Sequence, residues 1–166
     1  ARVNATMSDA AASDDSDLRN IAHIGTIVSS TSIATAERSG SNGEEVLAAM
    51  VLGYEIAGRI GEAITPGFRK LGFHASVVTI FGGAVATGKL LKLGDPQLAQ
   101  AIAIAATSVG GLRVAADTSL AREYHAGLSA LLGVHAALAA EKGYLADEGI
   151  LVFRGGFLDT FGATSI

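Results

Sequence analysis

At 166 residues the chain is long enough to bury a substantial core as one domain, and its formal net charge of −4 offers no basic face for a phosphate backbone. Nucleic-acid binding is therefore disfavoured. The absence of cysteine removes disulfides, thiolate nucleophiles, cysteine-ligated zinc and cysteine-held iron–sulfur clusters together. Apolar residues make up 49% and aromatic residues 5%, so Ala, Leu, Ile and Val must build the core on closely approaching helices.

The chain opens Ala1-Arg2-Val3-Asn4, with neither an initiator methionine nor the pattern of a signal peptide, and is expected to be a fragment or shortened form of a longer protein. Residues Asn4–Asp15 predict a short helix leading into the acidic cluster Asp14, Asp15, Asp17. From Ile24 to Glu37, Ile24, Ile27, Val28 and Ile33 recur at helical spacing, and Ser39-Gly40-Ser41-Asn42-Gly43 is a turn. Ser41 or Asn42 can cap the next helix, with Glu44 and Glu45 in its first turn facing the positive end of the helix dipole. That helix runs to Ile64, with Val46, Leu47, Met50, Val51, Tyr54, Ile56, Ile60 and Ile64 as its apolar stripe. Pro66-Gly67 closes it.

After a linker through Gly72, Ala75–Leu93 reads as an almost wholly apolar central helix ending at Gly94-Asp95-Pro96. Asp95 is expected to cap the next helix, which continues over Leu98–Val109 until Gly110-Gly111. Ser119–Gly143 carries Leu120, Leu128, Leu131, Leu132, Val134 and Leu138, whereas Ile150–Phe161 is open between strand, loop and short helix. The uncharged stretches Asn20–Ala36 and Leu71–Gly88 are diluted by Ser, Thr, Gly and His and read as buried helices rather than membrane spans. Helices separated by short turns, with no alternating strand pattern, predict an all-α helical bundle in a single domain.

Several motifs then occur in a fixed order. Asn4-Ala5-Thr6, Asp14-Asp15-Ser16 and His23-Ile24-Gly25 come first, followed by Gly53-Tyr54-Glu55 with Arg59-Ile60-Gly61, Gly72-Phe73-His74-Ala75-Ser76, Tyr124-His125-Ala126-Gly127 and Gly143-Tyr144. As a set they resemble the helical domain of the MmgE/PrpD family, whose best-known member is 2-methylcitrate dehydratase. The resemblance covers nearly the whole chain. It implies additional helices before this segment and a smaller α+β domain after it, a homodimer, and an activity that needs neither metal nor organic cofactor, while the lack of cysteine is consistent with a cytoplasmic setting. It further implies a lyase acting on a small di- or tricarboxylate, with an epimerase or decarboxylase of the same family as the alternative.

Removing a proton beside a carboxylate requires a base, an acid for the leaving group, and cations or donors for the developing charge. The resemblance implies that His23, Asp14 and His74 are catalytic, and that Asp15, Ser16, Ser76, Arg122 and His125 contact substrate. Asp14, Asp17 and His23 lack a defined metal-ligand spacing. His135 lies on an apolar helical stretch and reads as structural. Five positions depart from the pattern: Ala12 replaces an aspartate, Asp9 stands where histidine is common, Ala5 and Ile24 replace glycine and proline, and Arg122 takes the place of a lysine. These departures motivate a second reading, a helical assembly or binding module that has lost catalysis.

Overall fold

The computed structural model describes residues 1–162. Nine helices and one 3₁₀ turn are found among them: α1 Arg2–Ala11, α2 Ile24–Ser39, α3 Gly43–Ile64, α4 Gly67–Lys70, α5 Ser76–Leu90, α6 Asp95–Ala106, α7 Arg113–Thr118, α8 Ala121–Glu141, the 3₁₀ turn Glu148–Leu151, and α9 Phe157–Thr160. The only β pairing among the described residues is two isolated bridges, Asp17 with Ala22 and Phe73 with Leu112. The architecture is all-α, as the turn and periodicity pattern predicts. None of the described helices is long and apolar enough to cross a membrane.

Helix α5 is the axis of the bundle. It is buried on every side apart from Lys89, with Val77, Val78, Phe81, Ala84 and Val85 fully buried, and it packs against α2, α3, α6 and α8. The neighbours approach it through small residues. A Cβ added to Gly53 of α3 would lie 2.7 Å from the Gly82 carbonyl oxygen of α5, and one added to Gly133 of α8 would lie 2.8 Å from the Ile80 carbonyl oxygen. Backbone meets backbone at both crossings, so neither helix has room for a methyl group.

This packing corrects the expected stripes. On α3 the buried face is Ala49, Gly53, Ala57, Gly58, Gly61 and Ile64, while Leu47 and Val51 are 65% and 70% exposed. On α8 the buried face is built from Ala126, Gly127, Ala130, Gly133, Ala136, Ala137 and Ala140, and Leu120 is exposed. Ile33 of α2 is also exposed, and His135 faces solvent rather than an apolar neighbour. The reason is distance: large side chains would hold the helices apart, so they flank each contact instead of filling it. Helix α2 buries Thr31, whose hydroxyl donates back to the Ile27 carbonyl at 2.9 Å and so needs no partner across the core.

Asn42 caps α3 in a reciprocal box, its side chain accepting the Glu45 N–H at 3.0 Å while Glu45 accepts the Asn42 N–H at 3.0 Å. Asp95 does not cap α6. Gly94 occupies the cap and Asp95 is the first helical residue, where its charge still meets the positive helix end. Helix α7 was not expected from the sequence, and α6 stops at Ala106 rather than Val109. The undecided tail resolves into the 3₁₀ turn and α9, whose Phe157 packs edge-on against Phe81 with ring centroids 4.9 Å apart.

Gly133→Ala is expected to destabilise the fold by roughly 1–3 kcal/mol, because overpacking at a backbone contact outweighs the helix propensity gained. Gly43→Ala, where a Cβ would meet nothing within 4 Å, is expected to cost no stability. Urea unfolding of the two variants distinguishes them, and equal midpoints would contradict the close-approach account.

Candidate active site

Two pinned loops bring the site together. The first precedes α2: Asp17 donates its N–H to Ala22 and is gripped by the Arg19 side chain at 2.7 Å, while fully buried Asn20 donates to the Gly58 carbonyl of α3 at 3.2 Å and accepts the Ala22 N–H at 3.0 Å. Arg19 holds the Asp17 carboxyl below the usual carboxylate range. Ile21 of this loop has φ 57°, a left-handed conformation that β-branched residues rarely adopt. The loop thereby sets His23 at the entrance of α2.

The second loop precedes α5. The His74 N–H donates to the Gly111 carbonyl at 3.0 Å and the Arg113 N–H donates to the Gly72 carbonyl at 2.9 Å, so the 72–74 and 111–113 segments cross as one bridge. From the far side the Phe161 ring packs on Phe73, with centroids 4.9 Å apart. His74 is thus fixed between the ends of α4, α5 and α7.

His23 and His74 line one cleft of about 240 Å³, together with Arg69, Arg113, Asp117 and Arg122. Their hydrogen bonds give the two rings opposite tautomers. The Nδ1 of His23 lies 2.8 Å from the Asp15 carbonyl oxygen and 3.4 Å from an Asp14 carboxylate oxygen, both acceptors, so Nδ1 carries the proton and Nε2 the lone pair. The Nδ1 of His74 instead accepts the Ser76 N–H at 3.3 Å, which places the proton of the neutral ring on Nε2. Burial, reinforced by His125, His23, Arg122 and Arg69, pushes the His74 pKa down to about 4, so the ring is neutral at pH 7.

The remaining predicted residues separate into three groups. Asp14 stands behind His23 and accepts the Thr26 hydroxyl at 2.7 Å. Arg122 reaches the cleft, with its Nε donating to buried Asp9 at 3.0 Å. His125 lies behind His74, ring centroids 5.4 Å apart, beside an internal void of about 20 Å³ shared with Ser76 and Ser129. Its Nδ1 is buried without a partner among the described residues, and burial lowers its pKa. Ser76 directs its hydroxyl to the Gly110 carbonyl at 2.7 Å, away from the cleft.

Asp15 and Ser16 are not brought to the cleft. The Asp15 carboxylate accepts the Gly25 N–H at 3.0 Å and the Tyr54 hydroxyl, so it caps α2 from outside the helix and faces a separate groove with Met50 and Ser29. A Cβ at Gly25 would stand 2.3 Å from an Asp15 carboxylate oxygen, so a side chain there would displace that carboxylate. Ser16 is exposed on the connecting loop. Among the described residues no group of three or more His, Asp or Glu side chains is placed to hold a metal ion.

Arg69, Arg113 and Asn20 were not singled out in the sequence. Arg69 sits five residues before His74, and Arg113 follows the Gly110-Gly111 turn, a spacing that signals nothing until Gly72 and Arg113 pair. The two departures Asp9 and Arg122 contact each other, which no linear pattern reveals.

The family model for the MmgE/PrpD N-terminal domain matches residues 1–165. The chain is 36% identical to cis-aconitate decarboxylase of Aspergillus terreus over 125 residues, 72% of this chain and 25% of that protein. It is 32% identical to the cis-aconitate decarboxylase-like protein oryM of Aspergillus oryzae over 129 residues, 75% of this chain and 26% of that protein. The chain therefore spans about a quarter of the length of the curated relatives it matches. With an all-α bundle, the ordered motifs and a match over nearly its whole length, the chain belongs to the MmgE/PrpD family, to which it contributes the N-terminal domain.

Proposed function

We propose that this domain supplies the acid–base half of a lyase that acts on a small di- or tricarboxylate without a cofactor. The observation that carries the reading is the pair of imidazoles with opposite hydrogen bonding at Nδ1 on one cleft rimmed by Arg69, Arg113 and Arg122. His23 offers an Nε2 lone pair that can take a proton beside a carboxylate. His74 offers an Nε2–H that can hydrogen-bond a leaving hydroxyl or an oxygen on which charge develops. In a dehydration the C–H pair becomes the double bond and the hydroxyl leaves as water with the proton that His23 has taken. The arginines suit planar carboxylates through bidentate hydrogen bonds.

Asp14 behind His23 favours the imidazolium that forms once the base has taken its proton. Keeping His74 neutral matters for the same reason in reverse. A ring with a pKa of about 4 remains a hydrogen-bond donor that does not itself titrate near neutrality, so it polarises without exchanging roles with His23.

Decarboxylation is the second reading, and the names of the similar Aspergillus proteins favour it. There the C–CO₂ electron pair stays on the substrate and is quenched by a proton carried by His23, while the His74 Nε2–H hydrogen-bonds the oxygen on which charge develops. Both readings use the same residues. They differ in which bond breaks.

The longest natural polypeptide containing this domain is expected to turn over 2-methylcitrate or cis-aconitate, and His23→Gln to lower kcat by roughly 10²–10⁴-fold, the range typical of a lost general base. No turnover of either acid or of iminodisuccinate by a folded protein would favour the non-catalytic assembly module instead. In a histidine-resolved NMR titration, His74 is expected to take up its proton near pH 4 rather than near 6.5. Because its folded pKa is depressed, the unfolded chain binds more protons between those values, so stability should fall as pH drops through that window. His74→Gln should flatten that slope, and an unchanged slope would contradict the assignment.

A further inference from the structure

Arg122 enters the cleft from the first turn of α8, and what holds it there comes from the last turn of α1, 113 residues earlier. Asp9 is 3% exposed. Its carboxylate accepts the Arg122 Nε–H at 3.0 Å, and its backbone carbonyl accepts an Nη2–H at 2.7 Å. Two acceptors on adjacent edges of a rigid, planar fork fix both its plane and its rotation. The Nη1 edge carries neither of these bonds, and the Arg122 side chain, 31% exposed, lines the cleft with His23 and His74.

Docking of α1 on α8 does not need this pair. Ala5 packs with Ile27, Ala126 and Ala130 in a separate apolar cluster, and Arg2 lies over the Tyr124 ring at 5.4 Å. A buried carboxylate is costly beside those contacts, and burial raises the Asp9 carboxyl above its ordinary range even with Arg122 adjacent. An alanine would complete the helix interface without that penalty. The carboxylate therefore serves something other than helix docking.

We propose that Asp9 is a positioning residue that aims the Arg122 guanidinium into the cleft and so makes Arg122 the anchor for one substrate carboxylate. An arginine held in its binding geometry loses less freedom when the anion arrives than one that sweeps the cleft. Asp9 does not touch the reacting atoms. Its contribution is read in binding rather than in chemistry. The substrate class rests on the polycarboxylate reading above, whereas the aiming of Arg122 does not.

The test uses the longest natural polypeptide with Asp9→Asn, Arg122→Lys and the double variant. With cis-aconitate or 2-methylcitrate, whichever is turned over, each single variant is expected to raise KM about tenfold or more with kcat within about threefold, the signature of lost uniform binding. The double variant should be no worse than Arg122→Lys alone, because the coupled pair is already broken. A fall in kcat at unchanged KM, or additive effects in the double variant, would overturn the proposal. A readout independent of turnover is phenylglyoxal modification of Arg122 followed by mass spectrometry, expected to be several-fold faster in Asp9→Asn at an unchanged thermal midpoint. Unchanged reactivity overturns the positioning role even if no polycarboxylate is turned over. Faster reactivity with no turnover of any acid supports it and refutes the substrate reading alone. If Asp9→Asn does not fold, Arg122→Lys carries the test through the same division between KM and kcat.

Discussion

Backbone contact between α5 and its neighbours is the constraint on which everything else hangs. Gly53 and Gly133 let α3 and α8 come so close to α5 that carbonyl oxygens stand where side chains would be. Close helices bury dispersion contacts densely with little aromatic mass, which suits a chain with 5% aromatic residues. They also draw the helix ends together. His23 at the start of α2, His74 before α5 and Arg122 at the start of α8 converge because the three helices begin on the same side of the packed axis.

Convergence alone would leave the rings free to turn. Their orientation comes from loops tied to distant elements: Asn20 to Gly58 of α3, His74 to Gly111, and Phe73 to the Phe161 ring. The Asn20 tie is buried and the other two are half-buried, and each pairs a polar group or a ring with a partner from a distant element. The tautomers follow from that arrangement. A carbonyl oxygen facing His23 Nδ1 and a peptide N–H facing His74 Nδ1 impose opposite proton placements on two chemically identical side chains. The difference between an Nε2 lone pair on one ring and an Nε2–H on the other thus arises from backbone geometry, with no difference in residue type.

Helix existence was legible from turn signals and hydrophobic period, and the cap of α3 was narrowed to Ser41 or Asn42, of which Asn42 caps it. Helix faces were not. Periodicity weights large apolar residues, whereas α3 and α8 bury Ala and Gly, so Leu47, Val51 and Leu120 were assigned to a core they do not enter. Helix α7 lay hidden because Arg113–Thr118 is a six-residue segment with no buried residue and hence no apolar period to detect. Among the site residues, the ordered motifs identified His23, His74 and Arg122, which share the cleft. The same motifs grouped Asp15 and Ser16 with them, because adjacency to Asp14 in sequence says nothing about direction: Asp15 turns outward to cap Gly25 while Asp14 turns toward His23. Arg69 and Arg113 carry no motif at all, and only the crossing of the two loops assigns them to the cleft.

Backbone geometry gives His23 and His74 opposite proton placements across one cleft. Long-range ¹⁵N–¹H correlation spectra of the folded protein near pH 8, assigned with His23→Gln and His74→Gln variants, read each ring's tautomer directly. The account predicts a proton on Nδ1 of His23 and on Nε2 of His74. The same tautomer in both rings, or a charged His74 at that pH, would contradict it.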